Sequence, residues 1–368
     1  MTTSKEQTIK ILKAQSLPNI KQLALDRQKA FDELCKKHYQ KNQPAEMNKT
    51  KTTKIQPQNI TIKSNITMHA PYWEFTSTAY LNGKKIIEPQ DSTKQSLFGV
   101  THRREVSSYQ NPVGIVHQYW GAMQHNEAGA DNIALYALVN KNKYSSFANK
   151  FFNPGYETAL QTFKEDIKKN PKNAWGIMSP TRKALIKYIK PNYKELFIAE
   201  GKNNPESFLQ LQRDAASTVT ASYYNLEKVV TELKKVGITP TSINPSVWSV
   251  IISAGIARGN TSFTRNGKKY SVTELFKNKS LQQINSPQMI DEIAQAYPTA
   301  FRKNAANEQA AIQFAKDHIN EKHSITTARE LSLMLGDEQV YHNYLANLKL
   351  PQQTQNTQVA ALKNTQTR

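Results

Sequence analysis

The carboxylates with the most chemical promise lie between Thr101 and Asn132, in the stretch THRREVSSYQNPVGIVHQYWGAMQHNEAGADN. Glu105, Glu127 and Asp131 fall there among glycines, aromatic residues and a proline turn. Glycoside hydrolysis ordinarily needs two carboxyl groups flanking the scissile bond, one protonated and one acting as base or nucleophile. A carboxyl packed against Tyr119 or Trp120 would have its pKa raised by desolvation, as a general acid requires. Aromatic rings also suit the apolar faces of sugars, and Tyr109, His117 and Gln124 belong to the same segment. The plainer alternative is that all three carboxylates are ordinary surface groups, with Asp131 the N-cap of a helix over 131–139. Spacing alone leaves both open.

Other chemistries find less support. The eight histidines are scattered, without the i, i+4 pair of a zinc protease, and no metal-ligand spacing stands out. His117 and His125 read as polar surface or cleft residues. There is no Gly-x-Ser-x-Gly elbow, no phosphate-binding loop and no dinucleotide fingerprint, so no cofactor is implied. The single cysteine, Cys35, excludes an internal disulfide and a cysteine zinc cluster, and it reads as a small apolar filler.

These residues need a scaffold, and the stretch Asn244 to Asn260, NPSVWSVIISAGIARGN, supplies its centre. Asn244 suits an N-cap, Pro245 the first helical position and Gly259 the left-handed residue that ends a helix. Between them Val247, Trp248, Val250, Ile251, Ile252, Ala254, Ile256 and Ala257 fall on every side of a helix, which predicts burial all round. It is too short for a bilayer span, which takes about 20 apolar residues. Other helices should pack around it. Ser179-Pro180, Asn204-Pro205 and Ser286-Pro287 share its opening punctuation. The longest helical pattern runs over 205–236, and further helices are expected over 145–152, 156–169, 304–323 and 326–335. The last would open with a Thr327-x-x-Glu330 capping box. Two Asn-Gly pairs, Asn82-Gly83 and Asn266-Gly267, predict tight β-hairpins, with Tyr72, Trp73 and Phe75 near the first as core.

The expected fold is therefore mainly α, of α+β type: a helical domain around a buried central helix, with small β-hairpins and an N-terminal extension. The expected divisions are an N-terminal helical and linker extension at 1–53, a small β element at 54–96, a main domain at 97–303, C-terminal helices at 304–350 and a disordered tail at 351–368. The Lys- and Gln-rich stretch KKHYQKNQPAEMNKTKTTK reads as an exposed linker.

Across 368 residues, 49 Lys and Arg stand against 29 Asp and Glu, a net charge of +20. Such a surplus points to a polyanionic partner: nucleic acid, an anionic membrane surface or an acidic wall polymer. No stretch reaches the length of a membrane span. The opening MTTSKEQTIKILKAQSLPNI has no continuous apolar run of the signal-peptide kind, so action outside the cytoplasm would need another carrier.

The order of elements resembles the chitosanase-like branch of the lysozyme superfamily, the peptidoglycan hydrolase modules of some type VI secretion spike proteins and of phage. Those modules place a catalytic Glu before a Ser/Gly-rich turn and a hairpin of GGVSYGxYQ type. Here Glu105-Val106-Ser107-Ser108 precedes NPVGIVHQYWGAMQ, in which Gly114, Val116, Tyr119 and Gln124 echo that hairpin, while Ile115 and His117 stand where the family has Gly and Ser. The family's long helix of F-x-x-A-Q-x-D type is similar to NPESFLQLQRDAAS, with Phe208, Gln212 and Asp214, and QMIDEIAQAYPTAF resembles its closing helix. The resemblance spans about residues 97–303. It implies a lysozyme-like domain that cleaves peptidoglycan, with Glu105 as general acid. Glu127 is the second carboxylate of choice over Asp131, and Tyr109, His117, Tyr119, Trp120, Gln124 and Asp131 contact the glycan. It also implies delivery to a target cell's periplasm or wall as an injected effector or virion enzyme, with a secretion spike or virion protein and an immunity protein as partners. The rival readings are a structural protein of a phage or injection apparatus that has lost its chemistry, and a basic nucleic-acid-binding protein.

Overall fold

The computed structural model describes residues 60–348, apart from 70–71, 89–91, 93–94, 107–112, 117–118, 124, 224–225, 236, 259–261 and 266–267. The extension at 1–53 with Cys35, the site candidates Tyr109, His117 and Gln124, the helix terminator Gly259, the Asn266-Gly267 turn and the tail at 351–368 all lie outside the described residues. What is described belongs to one compact unit, Ile55–Arg368.

The fold is mainly helical with small antiparallel β elements. Strands β1 (Ile60–His69), β2 (Tyr72–Leu81) and β3 (Lys84–Lys85) form an antiparallel sheet in that order. Helix α1 (Gly99–Val106) leads to a short hairpin, β4 (Ile115–Val116) and β5 (Tyr119–Trp120). Then come α2 (Glu127–Val139), α3 (Lys141–Phe151), α4 (Glu157–Lys169), α5 (Pro171–Ala174), α6 (Pro180–Ile186) and α7 (Tyr193–Asn203). Helices α8 (Pro205–Tyr223), α9 (Leu226–Lys235) and α10 (Pro245–Arg258) precede a second hairpin, β6 (Ser262–Arg265) and β7 (Lys268–Ser271). The chain closes with α11 (Val272–Phe276), α12 (Leu281–Ile284), α13 (Pro287–Ala296), α14 (Ala306–Asp317), α15 (Ile325–Leu335) and α16 (Glu338–Asn347).

Local chemistry accounts for much of this. In β1 the buried Ile60, Ile62 and Ser64 alternate with the exposed Thr61 and Lys63, the period of a strand with one covered face. Asn82 and Gly83 both take positive φ, 50° and 78°, as a two-residue hairpin turn of primed type requires. Phe75 is core, as expected, while Trp73 is half-buried. The Ser-Pro helix starts hold, with the Ser179 and Ser286 side chains accepting from the Arg182 and Met289 amides.

The central helix is α10. Asn244 Oδ1 accepts from the Ser246 amide at 2.8 Å, and Val247, Trp248, Val250, Ile251, Ile252 and Ala254 are all sealed, whereas Ile256 is half-buried and Ala257 exposed, so the expected burial fades over the last turn. Its serines are also buried and act as tethers. Ser249 Oγ accepts from the Val100 amide at 3.0 Å, and the Ser253 carbonyl accepts from Arg104 Nη1 at 3.0 Å. These two bonds lay α1, and hence Glu105, along the central helix. Ala311 and Ile312 of α14 and Leu331 of α15 share one core with Trp248, so apolar packing runs across the boundary placed at residue 303. A second, aromatic core joins α2, α3, α7 and α8, where Phe208 packs against Phe147, Phe151 and Phe197. A third lies between the sheet and α15 and α16, with Ile62, Ala79, Ile325 and Leu345.

The described residues of the pattern over 205–236 are helical at Pro205–Tyr223 and Leu226–Lys235, as expected. Two expectations are corrected. Helix α15 opens on Ser324, whose partner in the capping box is Thr327 and not Glu330. Glu330 instead accepts from Ser96 Oγ, the Leu97 amide and Arg213, which fastens α15 to the approach to α1 and to α8. Second, α2 begins at Glu127, capped by Asn126, whose side chain accepts from the Gly129 amide. Asp131 is therefore not an N-cap but a residue of the second turn.

Acid should loosen this fold. His102 is buried beside Phe75, and among the described residues neither ring nitrogen has a hydrogen-bond partner. Burial first, and Arg213 second, hold its pKa well below the ordinary histidine value. Burial likewise lowers His125 and His323 to about 4. An unfolded histidine titrates near 6.5, so between about 6.5 and 4 the unfolded chain binds more protons. The stability these groups contribute is complete above 6.5 and falls as pH drops. Asp131, raised to about 6, acts in the opposite sense but is one group against three. The urea midpoint should fall between pH 7 and pH 5; a midpoint that holds or rises would contradict this.

Candidate active site

The β4–β5 hairpin is positioned by α8. Gln212, fully buried, accepts from the Ala122 amide at 2.8 Å and donates to the Val113 carbonyl at 2.9 Å, so one side chain clamps both ends of the hairpin. Gly121 sits between them at φ 72°, and a Cβ there would collide with the Gln212 side-chain amide. Helix α7 meets the same hairpin at Gly201, where a Cβ would lie 2.9 Å from Gly114 Cα. Gly121→Ala should cost about 2–4 kcal/mol, from left-handed backbone strain of about 1–2 and the displaced Gln212 bonds. Denaturant unfolding measures it, and a loss under about 0.5 kcal/mol would show that the clamp is not needed.

The two aromatic residues of β5 have different fates. Tyr119 is 43% exposed and open to a ligand. Trp120 is core: its ring stacks on Tyr193 at 5.5 Å and meets Phe197 edge-on at 5.1 Å. The expected sugar platform at Trp120 is thus corrected, because its ring is already covered. Beyond the hairpin the chain folds back, with Trp120 and His125 exchanging backbone hydrogen bonds of 2.8 and 2.9 Å. That return delivers Asn126, and so the start of α2, beside the hairpin.

Glu127 and Asp131 lie one turn apart on α2. Glu127 is exposed in the first turn, and Asp131 is half-buried. Burial raises the Asp131 pKa to about 6; Arg182 opposes this and Glu127 adds to it. Arg182, itself 1% exposed, is committed elsewhere: Nε donates to Asn132 Oδ1 and Nη2 to the Ala128 carbonyl, each at 2.8 Å. Its approach to Asp131 is longer, at 3.4 Å. Tyr193 closes the group from α7, its hydroxyl donating to the Ala130 carbonyl at 2.7 Å. Arg182 and Tyr193 were not among the sequence candidates. Both lie more than 50 residues from the hairpin, and no local spacing signals such a contact.

Glu105 has different company. It ends α1 in an ion pair with Arg104, which is anchored on the Ser253 and Ala300 carbonyls, and its charge reaches Arg302. The described contacts bring Glu127, Asp131, Arg182, Tyr193 and Trp120 into one group and tie Glu105 to α10 and the segment after α13.

Fold and site together define a mainly helical chain with an acidic pair at the head of a helix, set beside a glutamine-clamped aromatic hairpin. Scanned against protein-family models the chain matches none, and neither characterised proteins nor solved structures yield a match.

Proposed function

We propose that the chain is a glycoside hydrolase that cleaves peptidoglycan, with Asp131 as proton donor and Glu127 as the carboxylate partner. One observation carries the reading: two carboxylates one turn apart have unlike surroundings, Asp131 pushed up to about 6 by burial and Glu127 exposed to solvent. A carboxyl that holds its proton up to about pH 6, beside one placed in water, is the division of labour that glycosidic cleavage requires. The resemblance to lysozyme-like hydrolases implies Glu105 as the acid in place of Asp131, and Glu105 pairs with Arg104 near the end of α1. The net charge of +20 would hold the enzyme to an anionic wall as an injected effector or virion enzyme, with a delivery protein and an immunity protein as partners.

A second reading has its own support. Asp131 contacts Arg182 and Glu105 pairs with Arg104, so both candidate acids also serve internal ion pairs. That is what a structural protein of a phage or injection apparatus, built on the same fold without the chemistry, would retain. Purified protein incubated with peptidoglycan sacculi, and in parallel with DNA and RNA, separates these readings. New reducing ends from sacculi support the hydrolase. Cleavage or retention of nucleic acid alone would replace it with a nucleic-acid role, and inertness towards all three would favour the structural protein.

A further inference from the structure

Between α4 and α6 the chain turns outward. Trp175 fills the aromatic core, but Ile177 and Met178 just after it are 44% and 78% exposed. Lysines stand on both sides of this apolar tip along the chain. Lys168 and Lys169 end α4 and are exposed, and Lys183 of α6 brings Nζ to 3.9 Å from Met178 Sδ. Thr181 Oγ1 donates to Asp166 at 2.6 Å, which holds the start of α6 against the later turns of α4, the helix that ends in Lys168 and Lys169. From 164 to 194 eight lysines stand against two carboxylates, Glu165 and Asp166. Both acids have partners within the fold, Gln161 for Glu165 and Thr181 for Asp166.

We infer that this tip docks the protein onto an anionic lipid bilayer. Ile177 and Met178 enter the boundary between headgroups and acyl chains, while Lys168, Lys169 and Lys183 meet the lipid phosphates. Charge alone would suit any polyanion; the apolar pair decides the occupant. A wall polymer or a nucleic acid rewards the lysines and gains nothing from exposed Ile and Met side chains, whereas a bilayer rewards both. The inference does not depend on the proposed hydrolase activity.

The test sediments the full chain with vesicles of phosphatidylcholine containing one-third phosphatidylglycerol, and with vesicles of phosphatidylcholine alone. Binding should require the anionic lipid and weaken with salt. Lys168→Gln and Lys169→Gln should each lower the partition coefficient about fivefold, since each lysine near such a surface contributes on that scale. Ile177→Ser with Met178→Ser should lower vesicle binding about tenfold and leave binding to DNA unchanged. Thermal melts of each variant show that the fold persists, as exposure of all four side chains predicts. Failure to sediment with the anionic vesicles overturns the proposal. So does a serine double variant that binds them as well as the parent, which would reduce the tip to a general polyanion patch.

Discussion

Asp131→Asn is expected to lower turnover on peptidoglycan by about 10²–10⁴-fold, the usual contribution of a general acid. The amide keeps the shape of the carboxyl and can still accept from Arg182, but it has no proton to donate. The same substitution should leave stability unchanged or slightly raised. At neutral pH the burial that raises Asp131 to about 6 acts against its ionised form, and a neutral amide avoids that cost. This pairing of outcomes separates catalysis from structure. If Asp131 served only to hold Arg182, the variant would lose stability, and any change in turnover would follow the loss of folded protein. Glu127→Gln should impair turnover as well, without a stability cost, because Glu127 is exposed. Glu105→Gln is the arm that bears on the resemblance. Turnover lost there and retained in Asp131→Asn would move the acid to the end of α1.

Asp214→Asn is expected to destabilise the protein by about 3–5 kcal/mol, the scale for breaking one side of a buried ion pair. Asp214 lies on α8 with its side chain 4% exposed. It accepts from Tyr144 Oη at 2.6 Å, Gln210 Nε2 at 2.9 Å and Arg329 Nη2 at 3.2 Å, and it pairs with Lys143. Burial alone would raise its pKa; Arg329 and Lys143 outweigh that and hold it at about 2. The stability it contributes is thus present above about pH 4 and lost as pH falls towards 2. Without its charge, Arg329 and Lys143 face each other with no anion between them. The urea midpoint, at unchanged slope, measures the effect. Asp214→Asn combined with Arg329→Met should cost less than the sum of the two changes, because the second removes the stranded cation. Strict additivity, or a single-variant loss below about 1 kcal/mol, would show that the network is not coupled.

What could be read from the sequence was local. The central helix announced itself through apolar residues on every side between an N-cap and a glycine, and the first hairpin through Asn82-Gly83, where both residues take positive φ. Serine-proline pairs marked helix starts because cap and first turn are adjacent in the chain. Long-range pairing left no such trace. Glu330 satisfied the spacing of a capping box, yet Arg213, 117 positions away, binds it instead. Asn126 and Asp131 are both cap-type residues, and the apolar run from Ile133 favoured the nearer one. The helix in fact starts a turn earlier, which moves Asp131 from a solvated end to a half-buried face beside Arg182. Trp120 was legible as aromatic but not as covered, since Tyr193 and Phe197 come from a helix more than 70 residues on. Gln212, in contrast, was singled out by motif, and it is the residue that clamps the hairpin.

A protonated carboxyl at Asp131 is proposed to drive glycan cleavage, and the pH profile of muropeptide release from sacculi by the wild-type protein tests this most directly. The acid must carry its proton to act, so release should be greatest on the acid side and decline as pH rises through about 6. The Asp131→Asn variant should show no such limb. No release by the wild-type protein at any pH at which it remains folded, or release that continues unchanged well above pH 6, would contradict the account.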